Sequence, residues 1–273
     1  MVTTMQELVA YETCPLCEGV RFVALRTGDC SKHPLYKPML SPQMQWIRCE
    51  SCHHIFRNGY YSDDMCRVIF SGTNERQQVG YDVENQRAIS ARIIDKVLPF
   101  RSAGTWLDVG FGNGSLLFTA QEYGFRPLGL DLRPQSVDLL RRLGVDALCQ
   151  DIRNLTLETP CSVISMADVL EHMPFPKEGL TAAHALLEDG GILFLSMPNF
   201  DNVLWHLLDG ANLNPYWGEL EHYHNFSRSR LYALLAEQGF TPLRYGISER
   251  YRVGMEVLAR KDGKPGDEFD GDG

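Results

Sequence analysis

Asp108 closes an apolar run, "TWLDV", and glycines follow it at positions 110, 112 and 114. This puts bare backbone beside a carboxylate. A dinucleotide pyrophosphate asks for G-x-G-x-x-G on such a turn. Counting from Gly110, the third position is Ser115, and the third glycine comes one residue early, at Gly114. Asp108 also repels a pyrophosphate, whereas a ligand carrying an ammonium and a sulfonium gains from it. Asp131 lies 21 residues after Gly110, in "GLDLRP". A carboxylate there accepts hydrogen bonds from both hydroxyls of a ribose, which suits either ligand. Glycine spacing and Asp108 together favour the sulfonium nucleoside.

A second set of residues carries sulfur. Of eight cysteines, Cys14/Cys17 and Cys49/Cys52 form two CxxC pairs, while Cys30, Cys66, Cys149 and Cys161 are scattered. The N-terminus lacks a basic stretch followed by an apolar one, so no signal peptide is expected. In a cytoplasmic chain, paired CxxC points to metal before disulfides. Each knuckle supplies two soft ligands to a tetrahedral zinc ion. The gap between knuckles is 31 residues, which leaves room for His33 or Cys30 to replace a ligand. Four thiolates leave no open position, so such a zinc is structural. The alternative is four reduced, buried thiols.

These residues need elements to hold them. The chain has 273 residues, 44% of them hydrophobic, enough for one large α/β domain and a small accessory one. Residues 1–60 are rich in Cys, His, Pro and aromatics and form the zinc-binding segment. Residues 61–103 read as a helical lid or linker. Ala88, Ile89, Ile93, Ile94, Val97 and Leu98 predict an amphipathic helix that Pro99 ends. From 104 to 261, strand and helix signals alternate: "TWLDVG", "RPLGLDL", "VDALCQDI", "CSVISMADV" and "GILFLSMP" read as strands. Gly124 and Gly144 close the first two helices, and Pro134 starts the second. "EGLTAAHALLEDG" reads as the helix before the fifth strand. This alternation predicts a doubly wound parallel sheet. Residues 199–226, aromatic and loop-rich, read as an insertion over a site. A helix starting near Ser227 and ending near Gly239 leads to two antiparallel closing strands. The acidic tail, 262–273, is expected to be disordered.

Together these segments resemble the class I S-adenosylmethionine-dependent methyltransferases, from about Ile93 to Lys261. "DVGFGNG" is similar to their first motif, "GLDLRP" to the second, "CQDIRNL" to the third and "ISMADVLEHM" to the fourth. The resemblance implies a Rossmann-like α/β sheet that binds S-adenosyl-L-methionine through Asp108, Gly110, Gly112, Gly114, Asp131, Leu132, Asp151, Ile152 and Ala167. Asp151 would meet the adenine amine and Ile152 would pack on its ring. "CPLC" and "IRCESCHHIFRN" resemble the zinc-binding N-terminal segment of some small-molecule methyltransferases, with Cys14, Cys17, Cys49 and Cys52 as ligands. "DVLEH" resembles a stretch of the ubiquinone-pathway O-methyltransferases, which implies a divalent ion such as Mg on Asp168, Glu171 and His172. The alternative is that Glu171 and His172 only shape the floor of the cofactor pocket.

Methyl transfer is an in-line displacement, and an oxygen acceptor also needs its proton removed. Histidine suits that base. "EHYHNFSRSRLYALLAEQGF" resembles a stretch of this subfamily in which a histidine precedes a Phe-Ser helix start, and His222 matches that position better than His224. His222, with His172 after the fourth strand, is therefore the catalytic candidate; the other reading has His222 bracing its loop. His184 reads as a helix-surface residue, His206 as part of its own segment's packing, and His53 and His54 as spare ligands or surface. Trp205, Tyr216, Trp217, Tyr223 and Phe226 either wall an acceptor pocket or form a small core. Tyr60, Tyr61 and Tyr81 are candidates for a lid.

The implied function is methylation of a small molecule, with a hydroxyl oxygen favoured. A net charge of −9 and the lack of a basic run argue against a nucleic-acid partner. An RNA methyltransferase and a non-enzymatic binding module are the competing readings. The longest apolar runs are too short to span a bilayer, so a cytoplasmic protein without a membrane partner is expected. Oligomeric state and acceptor are open.

Overall fold

The structure, a computed structural model, describes residues 8–70 and 75–262. The tail expected to be disordered lies, from residue 263, outside the described residues. Five strands come first: β1 (Val9–Ala10), β2 (Phe22–Asp29), β3 (Gln43–Cys49), β4 (Ile55–Arg57) and β5 (Gly59–Tyr60), followed by α1 (Asp63–Phe70). Then come α2 (Val83–Val97), β6 (Thr105–Val109), α3 (Ser115–Glu122), β7 (Arg126–Asp131), α4 (Pro134–Arg142) and β8 (Asp146–Cys149). β9 (Cys161–Ala167), α5 (Pro176–Leu186) and β10 (Leu187–Pro198) follow. The chain ends with α6 (Val203–Gly210), β11 (His224–Asn225), α7 (Arg228–Glu237), β12 (Phe240–Ile247) and β13 (Gly254–Lys261). No described helix is long and apolar enough to cross a membrane.

Two compact units result. The sheet unit gathers the described residues of Thr73–Leu170, Lys177–Pro198 and Leu231–Gly273. Its seven strands run in the order β12-β13-β10-β9-β6-β7-β8. β10, β9, β6, β7 and β8 are parallel, and β13 runs antiparallel to both its neighbours. Every residue of β9 is buried, as expected of a parallel strand covered on both faces. Ile93, Ile94 and Val97 of α2 pack with Trp106, Leu116, Phe125, Val163 and Phe194 in one core cluster. Phe111, Leu117, Val137, Leu140, Val145 and Ala147 form another.

Two boundaries differ from the sequence reading. The helix expected from Ala88 starts at Val83, because its first turn, "VENQR", is polar and carries no apolar period. The helix expected to reach Gly190 stops at Leu186, and Leu187 opens β10 by pairing with Cys161 of β9. Sheet pairing there overrides a local helical preference.

The cysteine unit gathers the described residues of Met1–Gly72, Glu171–Pro176 and Asn199–Arg230. Its main sheet is antiparallel, in the order β11-β4-β3-β2, and β1 pairs with β5. The segment read as an insertion, 199–226, thus groups with the N-terminal residues and adds β11 to their sheet. The lid segment divides as well: α1 lies in the cysteine unit and α2 in the sheet unit. Trp46, Trp205 and Trp217 are buried together, with Trp217 edge-on to both others, and the Trp46 indole donates to the Trp217 carbonyl at 2.9 Å. A Cβ on Gly28 would lie 1.7 Å from that carbonyl oxygen, so only glycine lets β2 approach so closely.

Candidate cofactor site and histidine cluster

The C-terminal ends of the parallel strands carry the predicted cofactor residues. Asp108 sits one residue from the end of β6, Asp131 ends β7, Ala167 ends β9, and Asp151 and Ile152 follow β8. β6 lies between β7 and β9, where the strand order reverses and open α/β sheets bind ligands. The three glycines after β6 all have left-handed φ: 65° at Gly110, 53° at Gly112 and 77° at Gly114. A Cβ at Gly110 would crowd Val169 at 2.9 Å, whereas at Gly112 it would meet nothing nearer than 3.9 Å. The backbone is therefore tight at Gly110 and open at Gly112, where a ligand can approach.

The three carboxylates differ. Asp108 is buried and accepts one side-chain bond, from the Ser165 hydroxyl at 2.6 Å. Burial pushes its pKa up to about 6 against the opposing pull of Ser165 and Arg250. Asp131 is buried too, but Arg133 holds it through its backbone N–H (3.0 Å), Nε (2.8 Å) and Nη2 (2.6 Å). Asp151 repeats this pattern with Arg153, at 2.8, 3.0 and 2.8 Å. Burial works against Asp151, yet the bonds to Arg153 keep its carboxyl below the usual range. A carboxylate has about four acceptor sites, so both retain capacity for a nucleoside. Ile152 is buried and Leu132 is 55% exposed.

In the cysteine unit the four predicted thiols converge: their sulfurs lie within 4.8 Å of one another. Cys14 and Cys52 are 3.7 Å apart and Cys17 and Cys49 3.5 Å. A tetrahedron of Zn–S bonds has edges of about 3.8 Å, so the donor set fits that ion. Neither residue that might have replaced a ligand takes part. His33 Nε2 meets Glu219 at 3.0 Å, and the Cys30 thiol donates to the Ser41 and Pro42 carbonyls.

The same unit brings Glu171, His172 and His222 together, with one ligand atom from each within 4.8 Å of the others. The two imidazoles meet edge to face, 4.7 Å between centroids. His172 Nδ1 lies 3.1 Å from the Glu221 carbonyl, so Nδ1 carries a proton, and its Nε2 faces the Glu171 carboxylate at 4.0 Å. His222 is buried, and its Nδ1 has no hydrogen-bond partner among the described residues. Burial first, then the charge of His172, holds its pKa well below that of an ordinary histidine. Asp168, the third ligand implied for a divalent ion, belongs to the sheet unit, where its carboxylate faces Arg250 at 3.9 Å.

Several other expectations change. His54 is neither spare ligand nor surface; it is buried, and its Nε2 lies 3.0 Å from His224 Nδ1. His224 Nε2 faces the Met173 carbonyl at 3.0 Å and must donate, so its Nδ1 accepts and His54 Nε2 carries a proton. His184 is not on the surface: it is buried edge-on to Phe240. Trp205, Trp217, Tyr223 and Phe226 are buried as core. Tyr60 packs on Tyr11 and Phe175, and Tyr61 is buried against Arg57, so neither is a lid. His206 is exposed and touches Phe200. Sequence reasoning missed Arg57, a fully buried cation that donates to the Leu220 carbonyl and Tyr61 hydroxyl and lies over the Tyr61 and Tyr223 rings. Nothing local marks it; its partners are far away in sequence. It also missed Ser165, whose signal was a polar residue in the middle of the otherwise apolar run "VISMA".

Comparison with known proteins agrees with this geometry. A family described as "Methyltransferase domain" matches residues 81–245. A ubiquinone biosynthesis O-methyltransferase of Coxiella burnetii is 32% identical over 100 residues, covering 34% of this chain and 43% of the relative. That of Xanthomonas campestris is 35% identical over 101 residues, covering 34% and 42%. The match thus spans less than half the length of these curated relatives. A Burkholderia thailandensis 1,6-didemethyltoxoflavin-N1-methyltransferase, solved with S-adenosylhomocysteine, superposes with a TM-score of 0.50 at 24% identity, covering 66% of this chain and 80% of its own. The magnesium protoporphyrin IX methyltransferase of Synechocystis PCC 6803 gives 0.56 at 17% identity, covering 74% and 100%. With the family matched over more than half its length and the sheet order to support it, the chain belongs to the methyltransferase-domain family and has the class I S-adenosylmethionine-dependent methyltransferase fold.

Proposed function

We propose that the chain transfers a methyl group from S-adenosylmethionine to a hydroxyl oxygen of a small molecule. The observation that carries this is the left-handed glycine turn after β6, beside a buried carboxylate that no arginine chelates among the described residues. Asp108 faces the cofactor's ammonium, and the backbone at Gly110, Gly112 and Gly114 admits its methionine end. Asp131 takes the ribose hydroxyls. Leu132, Asp151 and Ile152 receive the adenine, and Ala167 forms part of the floor. When bound, the cofactor supplies an activated methyl group on a sulfonium that leaves as a neutral thioether.

The protein then has to align the acceptor and take its proton. His222 is the base: burial keeps it neutral at pH 7, with a lone pair available. His172, its tautomer fixed by the Glu221 carbonyl, is the second candidate for that proton. Cys14, Cys17, Cys49 and Cys52 hold a structural zinc, which braces the unit carrying both histidines. A second reading is favoured by the convergence of Glu171, His172 and His222: these three hold a divalent ion such as magnesium, which binds the acceptor oxygen.

The ubiquinone-pathway relatives support an oxygen acceptor, and the net charge of −9 speaks against RNA. The test is mass spectrometry of products from phenols, sugars, hydroxy acids and RNA, each incubated with the protein and S-adenosylmethionine. A methyl ether, formed without added magnesium and lost in His222→Gln, supports the reading. Dependence on magnesium favours the second. Methylated RNA as the sole product contradicts both.

A further inference from the structure

Asp108 is the one cofactor-site carboxylate whose ionisation is not secured by arginine hydrogen bonds. Asp131 and Asp151 are each chelated by the arginine two residues on. Asp108 depends on a hydroxyl. Ser165 lies directly across from it in the parallel register of β6 and β9, and its Oγ is 2.6 Å from Asp108 Oδ1. Trp106, two residues before Asp108 on the same face of β6, reaches the same oxygen: its indole N–H donates to Ser165 Oγ at 2.9 Å. All three side chains are buried.

A serine hydroxyl has one proton and two lone pairs. The indole fills one lone pair and cannot accept. The proton then has two acceptors in reach, Asp108 at 2.6 Å and the Leu107 carbonyl at 3.4 Å. The shorter, charge-assisted bond wins. We infer that Ser165, directed by Trp106, is a positioning residue that keeps Asp108 ionised and aimed at the cofactor's ammonium; this rests on the cofactor reading above.

The relay matters because burial works against the charge on Asp108, whose pKa stands at about 6. The other charged groups acting on it are Arg250, from the turn between β12 and β13, which favours ionisation, and Asp131, at the end of β7, which opposes it. Without the Ser165 proton, the desolvation cost goes unanswered except by Arg250, and the neutral acid becomes dominant at a higher pH.

The test is calorimetric titration with S-adenosylhomocysteine between pH 5 and 8.5, on the full chain. Wild type should bind with constant affinity at the upper end and lose about tenfold per pH unit below the Asp108 pKa. Ser165→Ala should move that break upward by about one unit, so that its deficit is larger at pH 6 than at pH 8.5. Ser165→Thr, which keeps the hydroxyl, should restore the wild-type profile. Trp106→Phe should fall between them, and Asp108→Asn should bind weakly with no break. A Ser165→Ala profile that matches wild type, or is weaker by the same factor at every pH, overturns the inference. Should Ser165→Ala not fold, by circular dichroism, the Trp106→Phe profile decides, and an unmoved break there overturns it. Wild type failing to bind at any pH sinks the cofactor reading instead.

Discussion

The two units solve different problems. In the sheet unit, neighbours in sequence are mostly neighbours in space: β6, α3, β7, α4 and β8 follow one another and pack side by side. In the cysteine unit, three distant stretches of chain are joined. A two-residue strand, His224–Asn225, pairs with Ile55–Phe56, and a histidine pair links positions 54 and 224. The sheet unit owes its order to apolar burial along whole elements, and the cysteine unit to a few long-range clamps. Disturbing those clamps should therefore affect the cysteine unit and not the sheet unit.

The largest expected effect is removal of the zinc proposed for the four thiols. A structural zinc contributes on the order of 10 kcal/mol to a small domain, about as much as the net stability of a typical one. Chelation, or Cys49→Ser, should unfold the cysteine unit and leave the sheet unit folded. The chain's four tryptophans report on this: Trp46, Trp205 and Trp217 lie in the cysteine unit and Trp106 in the other. Fluorescence should shift towards that of exposed indole while binding of S-adenosylhomocysteine survives. Simultaneous loss of both signals would mean the units are not separable.

Next comes His222→Gln, for which activity should fall by about 10²–10⁴ with cofactor affinity unchanged, measured by turnover and calorimetry. Equal loss of both would make His222 a brace for its loop, not a base.

Acid should act on the two units with opposite sign. His224 has its folded pKa depressed by burial from 6.5 to about 4, and burial also pushes His54 and His222 down. Between those values the unfolded chain binds the proton and the folded one does not, so stability falls as pH drops through the window, by about 3 kcal/mol for His224. His33, where burial is outweighed by its bond to Glu219, is raised and opposes them singly. In the sheet unit, Asp108 has its folded pKa raised from 3.8 to about 6. There the folded state binds the proton first, so that group adds stability as pH falls from 6 to 4. Denaturant melts at pH 7 and pH 5 should show the cysteine unit weakening and the sheet unit holding. Parallel weakening of both contradicts the comparison.

The same contrast explains what could be read from the sequence. The sheet unit announces itself locally. Gly124, Gly144 and Gly239 stand in left-handed conformation at helix ends, and Pro134 opens α4. Each is a signal of a few residues. The cysteine unit offered only its CxxC pairs. Nothing near His54 indicates His224, and nothing near Arg57 indicates Leu220. Residues 199–226 looked like an insertion because "VLWHLL" and "HN" carry too few residues to reveal the core and sheet they join. The metal-type cluster was legible in part: Glu171 and His172 are adjacent, but only the fold brings His222 to them.

Two smaller effects sharpen the picture. Asp131→Ala removes the proposed ribose acceptor and leaves Arg133, which is largely buried, without its counterion. Affinity for S-adenosylhomocysteine should drop by about 2–3 kcal/mol, with the tryptophan signal of the cysteine unit unchanged. Leu207, 63% exposed on α6, should tolerate serine within about 0.5 kcal/mol in a denaturant melt.

The central claim is that the glycine turn beside Asp108 receives a sulfonium nucleoside. Calorimetric titration of the purified chain with S-adenosylhomocysteine, using NAD as the comparison ligand, addresses it directly. A one-to-one binding heat with the first and none with the second is the expected result. Binding of NAD without binding of S-adenosylhomocysteine would contradict it and make the turn a dinucleotide site.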